Sequence, residues 1–174
     1  MEIRELLTTY WSQVTLLFLG IGYFIKRIFD NISNKKQINH NLFQQNRLKV
    51  VNDFFSSYAK TEQMWRDLSI IPILEYKINT KEIDEIVFSP INELRRNVLE
   101  LQIYFPENEH QLFRDILKNV MNINGKLNSI YFNYDNEIST TVKSNEFSVV
   151  RDSKLEENEA LFQQISKIIR ITFN

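Results

Sequence analysis

The chain contains no cysteine. Disulfide staples, thiolate metal ligands and thiol nucleophiles are therefore excluded. Its three glycines, Gly20, Gly22 and Gly125, cannot supply a phosphate-cradling loop, which needs several at close spacing. Three prolines and so little glycine argue against a turn-rich all-β chain and for long helices. The two histidines, His40 and His110, stand in polar contexts without metal-site spacing to carboxylates, and both read as surface residues. There is no nucleophile elbow and no HExxH sequence. A net charge of −1 gives no global attraction to nucleic acid or acidic substrates. Carboxylate pairs such as Glu82/Glu85 and Glu156/Glu157 read as solvated helix faces. These absences predict a protein that is not an enzyme and holds no metal or cofactor.

What is present begins with Leu6–Ile25, a run with no charged residue, bracketed by Glu5 and Lys26. A helix needs about 20 mainly apolar residues to cross a bilayer core. Tyr10 and Trp11 near one end, and Tyr23, Phe24 and Phe29 near the other, match an interfacial aromatic belt. A cleaved signal peptide fits less well, because Met1–Glu5 is not net basic and no small-residue cleavage pattern follows. The expectation is a transmembrane helix. Lys26, Arg27, Lys35 and Lys36 follow it and only Arg4 precedes it, which puts the C-terminal part in the cytoplasm of a single-pass inner-membrane protein. The same basic residues suit anionic lipid headgroups.

Glu5, Thr8, Ser12, Thr15, Leu19, Gly22 and Lys26 recur three and four apart, which places them on one helical stripe. Small and hydroxyl residues let helices approach closely in lipid. The stripe reads either as a self-association face, with a hydroxyl-lined path between Glu5 and Lys26, or as part of a plain anchor whose Ser and Thr bond their own backbone. The chain divides into residues 1–29, an anchor with its flanks; residues 30–46, a polar juxtamembrane helix or linker; and residues 47–174, a helical bundle.

From Leu42 a helical rhythm starts: Phe43, Val50, Phe54, Tyr58, Trp65 and Leu68 share a face, predicting a helix to about Ile70 that stops before Pro72. At helical spacing these aromatics are core rather than a base-stacking platform. Thr80 reads as the cap of a short helix over Lys81–Phe88. Ser89-Pro90 reads as the start of the next, with Ile91, Leu94, Val98, Leu101 and Phe105 as its stripe. Pro106 divides that helix from another carrying Phe113, Leu117, Val120, Leu127, Ile130, Tyr131 and Tyr134, with Gly125 as a point of kinking or breakage. Asp135–Asn158 is mixed and polar with short β-leaning runs, and reads as a loop or small hairpin. Glu159–Phe173 closes the chain as a helix. The fold class is all-α: an N-terminal transmembrane helix followed by an antiparallel long-helix bundle, coiled-coil-like in an oligomer.

Arg95 and Arg96, with Arg66 and Arg114 as candidate neighbours, offer guanidinium forks to an anionic ligand such as a nucleotide or oligonucleotide. The competing reading is ordinary salt bridging with Glu93 and Glu100. A polar-striped single-pass anchor on a helical bundle without enzymatic signature resembles, in architecture, the small helical membrane effectors of bacterial antiphage defence, such as the channel-forming partner of a nucleotidyltransferase in Hailong-type systems. The resemblance rests on no diagnostic motif and assigns no site residue. It implies a homo-oligomeric pore-type or membrane-perturbing effector, an ion channel in one form, controlled through its cytoplasmic domain by a ligand or partner. The alternative is a membrane-tethered scaffold that recruits a soluble partner protein.

Overall fold

A computed structural model describes the backbone of residues 3–75, 78–132 and 139–173, and the side chains of these other than 3–9, 12, 14, 172 and 173. Five helices account for almost all of it: α1 (Ile3–Asp67), α2 (Ile70–Leu74), α3 (Thr80–Leu101), α4 (Glu107–Tyr131) and α5 (Thr140–Phe173). Among the described residues there is no strand. The chain divides into two compact units, Met1–Asn46 and Arg47–Asn174, with α1 contributing to both.

The second unit is an up-down-up-down bundle of α1, α3, α4 and α5. Lys60 meets Glu93 while Asp53 meets Asn97, so α1 and α3 run antiparallel. Asn119 meets Asn158 while Lys126 meets Glu146, which sets α5 antiparallel to α4. Tyr58 packs on Phe162 and Trp65 on Phe147, closing α5 back onto α1. Phe54 and Phe113 join α1 to α4 edge to face, with ring centroids 4.9 Å apart, and Phe105 stacks on Phe113 from the α3–α4 corner. Aromatic pairs in this geometry add about 0.5–1.5 kcal/mol beyond area burial.

Three boundaries differ from the sequence reading. α1 ends at Asp67, and Pro72 lies inside the short helix α2 rather than beyond a longer α1. It occupies the third helical position, where no intrahelical N–H is needed. The cap of α3 is Asn79, not Thr80: the Asn79 side chain accepts from the Glu82 N–H at 2.9 Å, and the Glu82 carboxylate accepts from the Asn79 N–H at 3.2 Å. This reciprocal cap fixes the start. The helix then runs through Ser89-Pro90 without restarting. The stripe Ile83, Val87, Ile91, Leu94, Val98, Leu101 is buried on both sides of the proline. Each such side chain contributes about 1.5–3 kcal/mol, so two of them offset the roughly 3 kcal/mol cost of an interior proline.

The largest correction lies in Asp135–Asn158. From Thr140 onward this region is helix, continuous with the expected C-terminal helix. The Ser139 hydroxyl accepts from the Val142 N–H at 3.3 Å, capping the start. Phe147, Leu155, Asn158 and Ile165 are buried at helical spacing against the other helices. Tertiary packing overrides the β preference of the intervening Thr and Val residues. α4 passes through Gly125 unbroken, with the glycine exposed and nothing within 4 Å of where a Cβ would stand. Tyr134 lies outside the described residues.

Met1–Asn46 contains helix from Ile3 onward, with non-helical backbone angles at Tyr10 (φ −110°, ψ 15°). Among the described residues, no helix is long and apolar enough to cross a membrane, so the fold as described is all-helical without a demonstrated span. The densest apolar run, Leu16–Ile25, covers roughly 15 Å at 1.5 Å per residue, against about 30 Å of hydrocarbon. Tyr10, Gln13 and Thr15 on one side, and Lys26 and Arg27 on the other, dilute it.

Candidate functional site

The N-terminal unit differs from every other part of the chain in what it leaves uncovered. Every described side chain from Tyr10 to Phe43 is exposed. Leu16, Leu17, Phe18 and Leu19 are consecutive and are 62–72% exposed. Successive helical residues are turned by about 100°, so these four point to all sides. No single neighbour would cover them.

Of the polar stripe, the side chains of Glu5, Thr8 and Ser12 lie outside the described residues. The Thr15 hydroxyl donates to the Trp11 carbonyl oxygen at 2.8 Å, so its polarity is satisfied within its own helix. Leu19 and Lys26 are exposed, and nothing lies within 4 Å of a Cβ built on Gly22.

Arg95 and Arg96 are both exposed on α3. The Arg95 guanidinium reaches over α4 to donate to Met121 Sδ at 3.6 Å. The candidate neighbours have other partners: Arg66 bonds Glu62 and Arg114 bonds Glu107. Glu93 pairs with Lys60 on α1 rather than with an arginine of its own helix. The Glu93 carboxylate is thus engaged with Lys60.

Several polar side chains buried in the bundle bond to one another or to backbone carbonyls, while Trp65 Nε1 and His110 Nδ1 are buried without a hydrogen-bond partner. Asn119 Nδ2 donates to Asn158 Oδ1 at 2.9 Å, and Asn158 Nδ2 donates to the Tyr58 hydroxyl at 3.2 Å, joining α4, α5 and α1. Burial pushes the Tyr58 phenol up from its ordinary value, with the Asn158 hydrogen bond opposing. The Thr61 hydroxyl bonds the carbonyls of Ser57 and Pro90, and Asn97 donates to the Asp53 carbonyl. His110 is not a surface residue: it is buried, with Nε2 2.8 Å from the Val98 carbonyl. His40 is exposed. Arg47 sits 4.2 Å over the Phe105 ring and 3.9 Å from Glu109. Burial lowers its pKa and Glu109 partly restores it. This polar interior carried a signal in the sequence, since Asn119 and Asn158 fall at stripe positions where aliphatic residues would stand.

An open cleft of about 450 Å³ between α4 and α5 is lined by Asp115, Lys118, Asn122, Lys154 and Glu157 among others. Lys154 and Glu157 pair at 2.5 Å and neutralise each other, and Asp115 accepts from the uncharged Gln111 amide at 2.8 Å. Among the described residues, no group of three His, Asp or Glu side chains is placed to hold a metal ion. The candidate functional surface is thus the uncovered N-terminal helix. The chain gives no significant match to a family model, a curated protein or a solved structure.

Proposed function

We propose that the protein is a non-enzymatic, oligomeric, membrane-perturbing effector whose N-terminal unit engages the bilayer and whose bundle, Arg47–Asn174, controls it from the cytoplasmic side. One observation carries the reading: apolar side chains exposed on all sides of a helix from Leu16 to Phe29. Removing that surface from water is favourable by about 25 cal/mol per Å², and hydrocarbon or further copies of the helix are the covers that reach all sides at once. Lys26, Arg27, Lys35 and Lys36 favour the cytoplasmic leaflet for the following segment. A run of roughly 15 Å needs help to perturb a bilayer, and assembly of several copies supplies it. In the pore form of this reading, Glu5, Thr8, Ser12, Thr15, Leu19, Gly22 and Lys26 face the axis of the assembly, which removes the polar positions from lipid. An antiphage setting, and control by a nucleotide-like ligand at Arg95 and Arg96 or by a soluble partner, follow from resemblance and residue type alone.

The tethered scaffold is favoured by a different observation, the Thr15 hydroxyl already satisfied by Trp11. A hydroxyl bonded to its own helix neither needs a partner nor offers its proton to a path.

The test is flotation with, and dye release from, vesicles containing anionic lipid. The full chain is expected to float and to release dye. Leu17→Asp combined with Phe24→Asp is expected to abolish both while leaving thermal unfolding of the bundle unchanged. A wild-type chain that stays with the soluble fraction overturns membrane engagement. Flotation without dye release selects the scaffold.

A further inference from the structure

The N-terminal helix carries two faces, and only one of them can meet another copy. The polar stripe is one. The other becomes visible when the helix is read in sevens: Phe18, Ile21, Ile25, Ile28, Ile32, Lys35, Asn39, Leu42 and Asn46 alternate three and four apart without a break. That spacing is the a/d pattern of a coiled coil. At about 100° per residue, the polar stripe falls at the b and e positions of this register, roughly 100° round the helix from the a/d face.

We infer that copies of this chain associate in parallel through the a/d seam Phe18–Leu42, and that the b positions of the polar stripe, Leu19 and Lys26 among them, face away from the contact while its e positions lie on the flank. The inference rests on the oligomeric reading proposed above and specifies its surface. Four observations support it. The seam keeps its phase past Lys26 and Arg27 into the strongly polar segment 30–46, where Ile32 and Leu42 remain 49% and 52% exposed. Hydrocarbon is not the natural cover among Asn, Gln and Lys, whereas the same face of another copy is. The flanking e and g positions widen the apolar strip through Leu17, Phe24, Phe29, Ile38 and Phe43, all exposed. Covering the apolar a and d side chains of two copies, with their flanks, removes on the order of 1,000–1,500 Å², within the range of specific interfaces. Finally, Thr15 has spent its hydrogen bond on Trp11, so the stripe does not require a partner.

The seam also specifies number and register. Isoleucine occupies both a (Ile25, Ile32) and d (Ile21, Ile28) positions, a choice that favours three or four strands over two. Asn39 at an a position is the type of residue that holds copies in one register by bonding its counterparts.

The absence of cysteine makes the test direct. Single cysteines are placed in the full chain at Ile28 and Ile32 on the seam, and at Leu19 and Lys26 on the away-facing side of the stripe. Disulfide formation between copies is followed in vesicles, with the intact complex weighed by native mass spectrometry. Ile28→Cys and Ile32→Cys are expected to cross-link about ten-fold faster than Leu19→Cys and Lys26→Cys, in a complex of three or four copies. Asn39→Ile is expected to broaden the mass distribution by admitting other copy numbers. Faster cross-linking at Leu19 and Lys26 overturns the seam and keeps the oligomer. A monomeric mass with no cross-linking at any position overturns the oligomer itself. A dimer, or an Asn39→Ile complex of unchanged mass distribution, overturns the assigned copy number or the role of Asn39 respectively.

Discussion

The N-terminal unit and the bundle share one element, α1, and treat apolar residues in opposite ways. In the bundle, Phe54, Trp65 and Phe113 are fully buried. In the N-terminal unit, Leu16–Leu19 are 62–72% exposed. Apolar content does not separate the two regions; its distribution round the helix does. Between Val50 and Trp65 the large side chains keep to one face, with Asn52, Lys60 and Arg66 on the other, so neighbouring helices can cover them. Between Leu16 and Phe29 they occupy every face, and no single partner suffices.

The comparison breaks most visibly under truncation of apolar side chains. Phe113→Ala is expected to destabilise the bundle by about 3–5 kcal/mol through a cavity between Phe54 and Phe105, read as a fall in the thermal unfolding midpoint of the full chain. Leu17→Ala, of comparable chemistry but exposed, is expected to change stability by less than about 0.5 kcal/mol. Similar losses from both would mean that the N-terminal unit has a folded partner within the chain.

The next largest effect sharpens the contrast between the buried polar bonds joining α1, α4 and α5 and the exposed surface of the N-terminal unit. Asn158→Leu leaves the Asn119 amide and the Tyr58 hydroxyl without their partner, at about 1–3 kcal/mol each in the worst case. The measurement is chemical denaturation, and a neutral result would show that water takes over both bonds. Pro90→Ala runs the other way. It restores an N–H to the middle of α3 and is expected to stabilise the bundle by roughly 1 kcal/mol, within the cost range of interior proline. A loss instead would mean that the backbone at Pro90 is set by its contact with Thr61.

The smallest expected effect is in pH. The Tyr58 phenol is held above its ordinary value of 10.0, chiefly by burial. An acid of raised pKa favours the folded state below the unfolded value and loses that contribution as pH rises. Stability is therefore expected to fall above about pH 10, and Tyr58→Phe to flatten that limb while losing the Asn158 bond at all pH values.

The stripes of α3 and α4, the division at Pro106 and the all-helical class were legible in the sequence because each rests on a periodicity longer than a turn. Residues 140–158 were not. Their buried positions, Phe147, Leu155 and Asn158, are few and widely spaced, and the polar and β-branched residues between them hide the period until α4 and α1 are present to select it. Ser89-Pro90 misled for a related reason: a start signal is local, whereas the stripe that carries α3 through it extends beyond both sides. The buried state of His110 depends on the Val98 carbonyl across the α3–α4 corner, a partner that no local pattern names. The uncovered N-terminal surface was legible as an apolar run, but only the exposure of its consecutive side chains separates it from an ordinary core helix.

The order in which the bundle closes bears on how the chain is made. Tyr58 meets Asn158 across 100 positions of sequence, so the α1 face cannot be covered until α5 has left the ribosome. At about 5–20 residues per second, that interval lasts on the order of 5–20 s. Through that interval Leu16–Ile25, synthesised earlier still, has no helix of its own chain to cover it. In the reading proposed above, the apolar segment meets its cover before the bundle closes. Delivery of the N-terminal unit then precedes, and does not depend on, folding of the part proposed to control it.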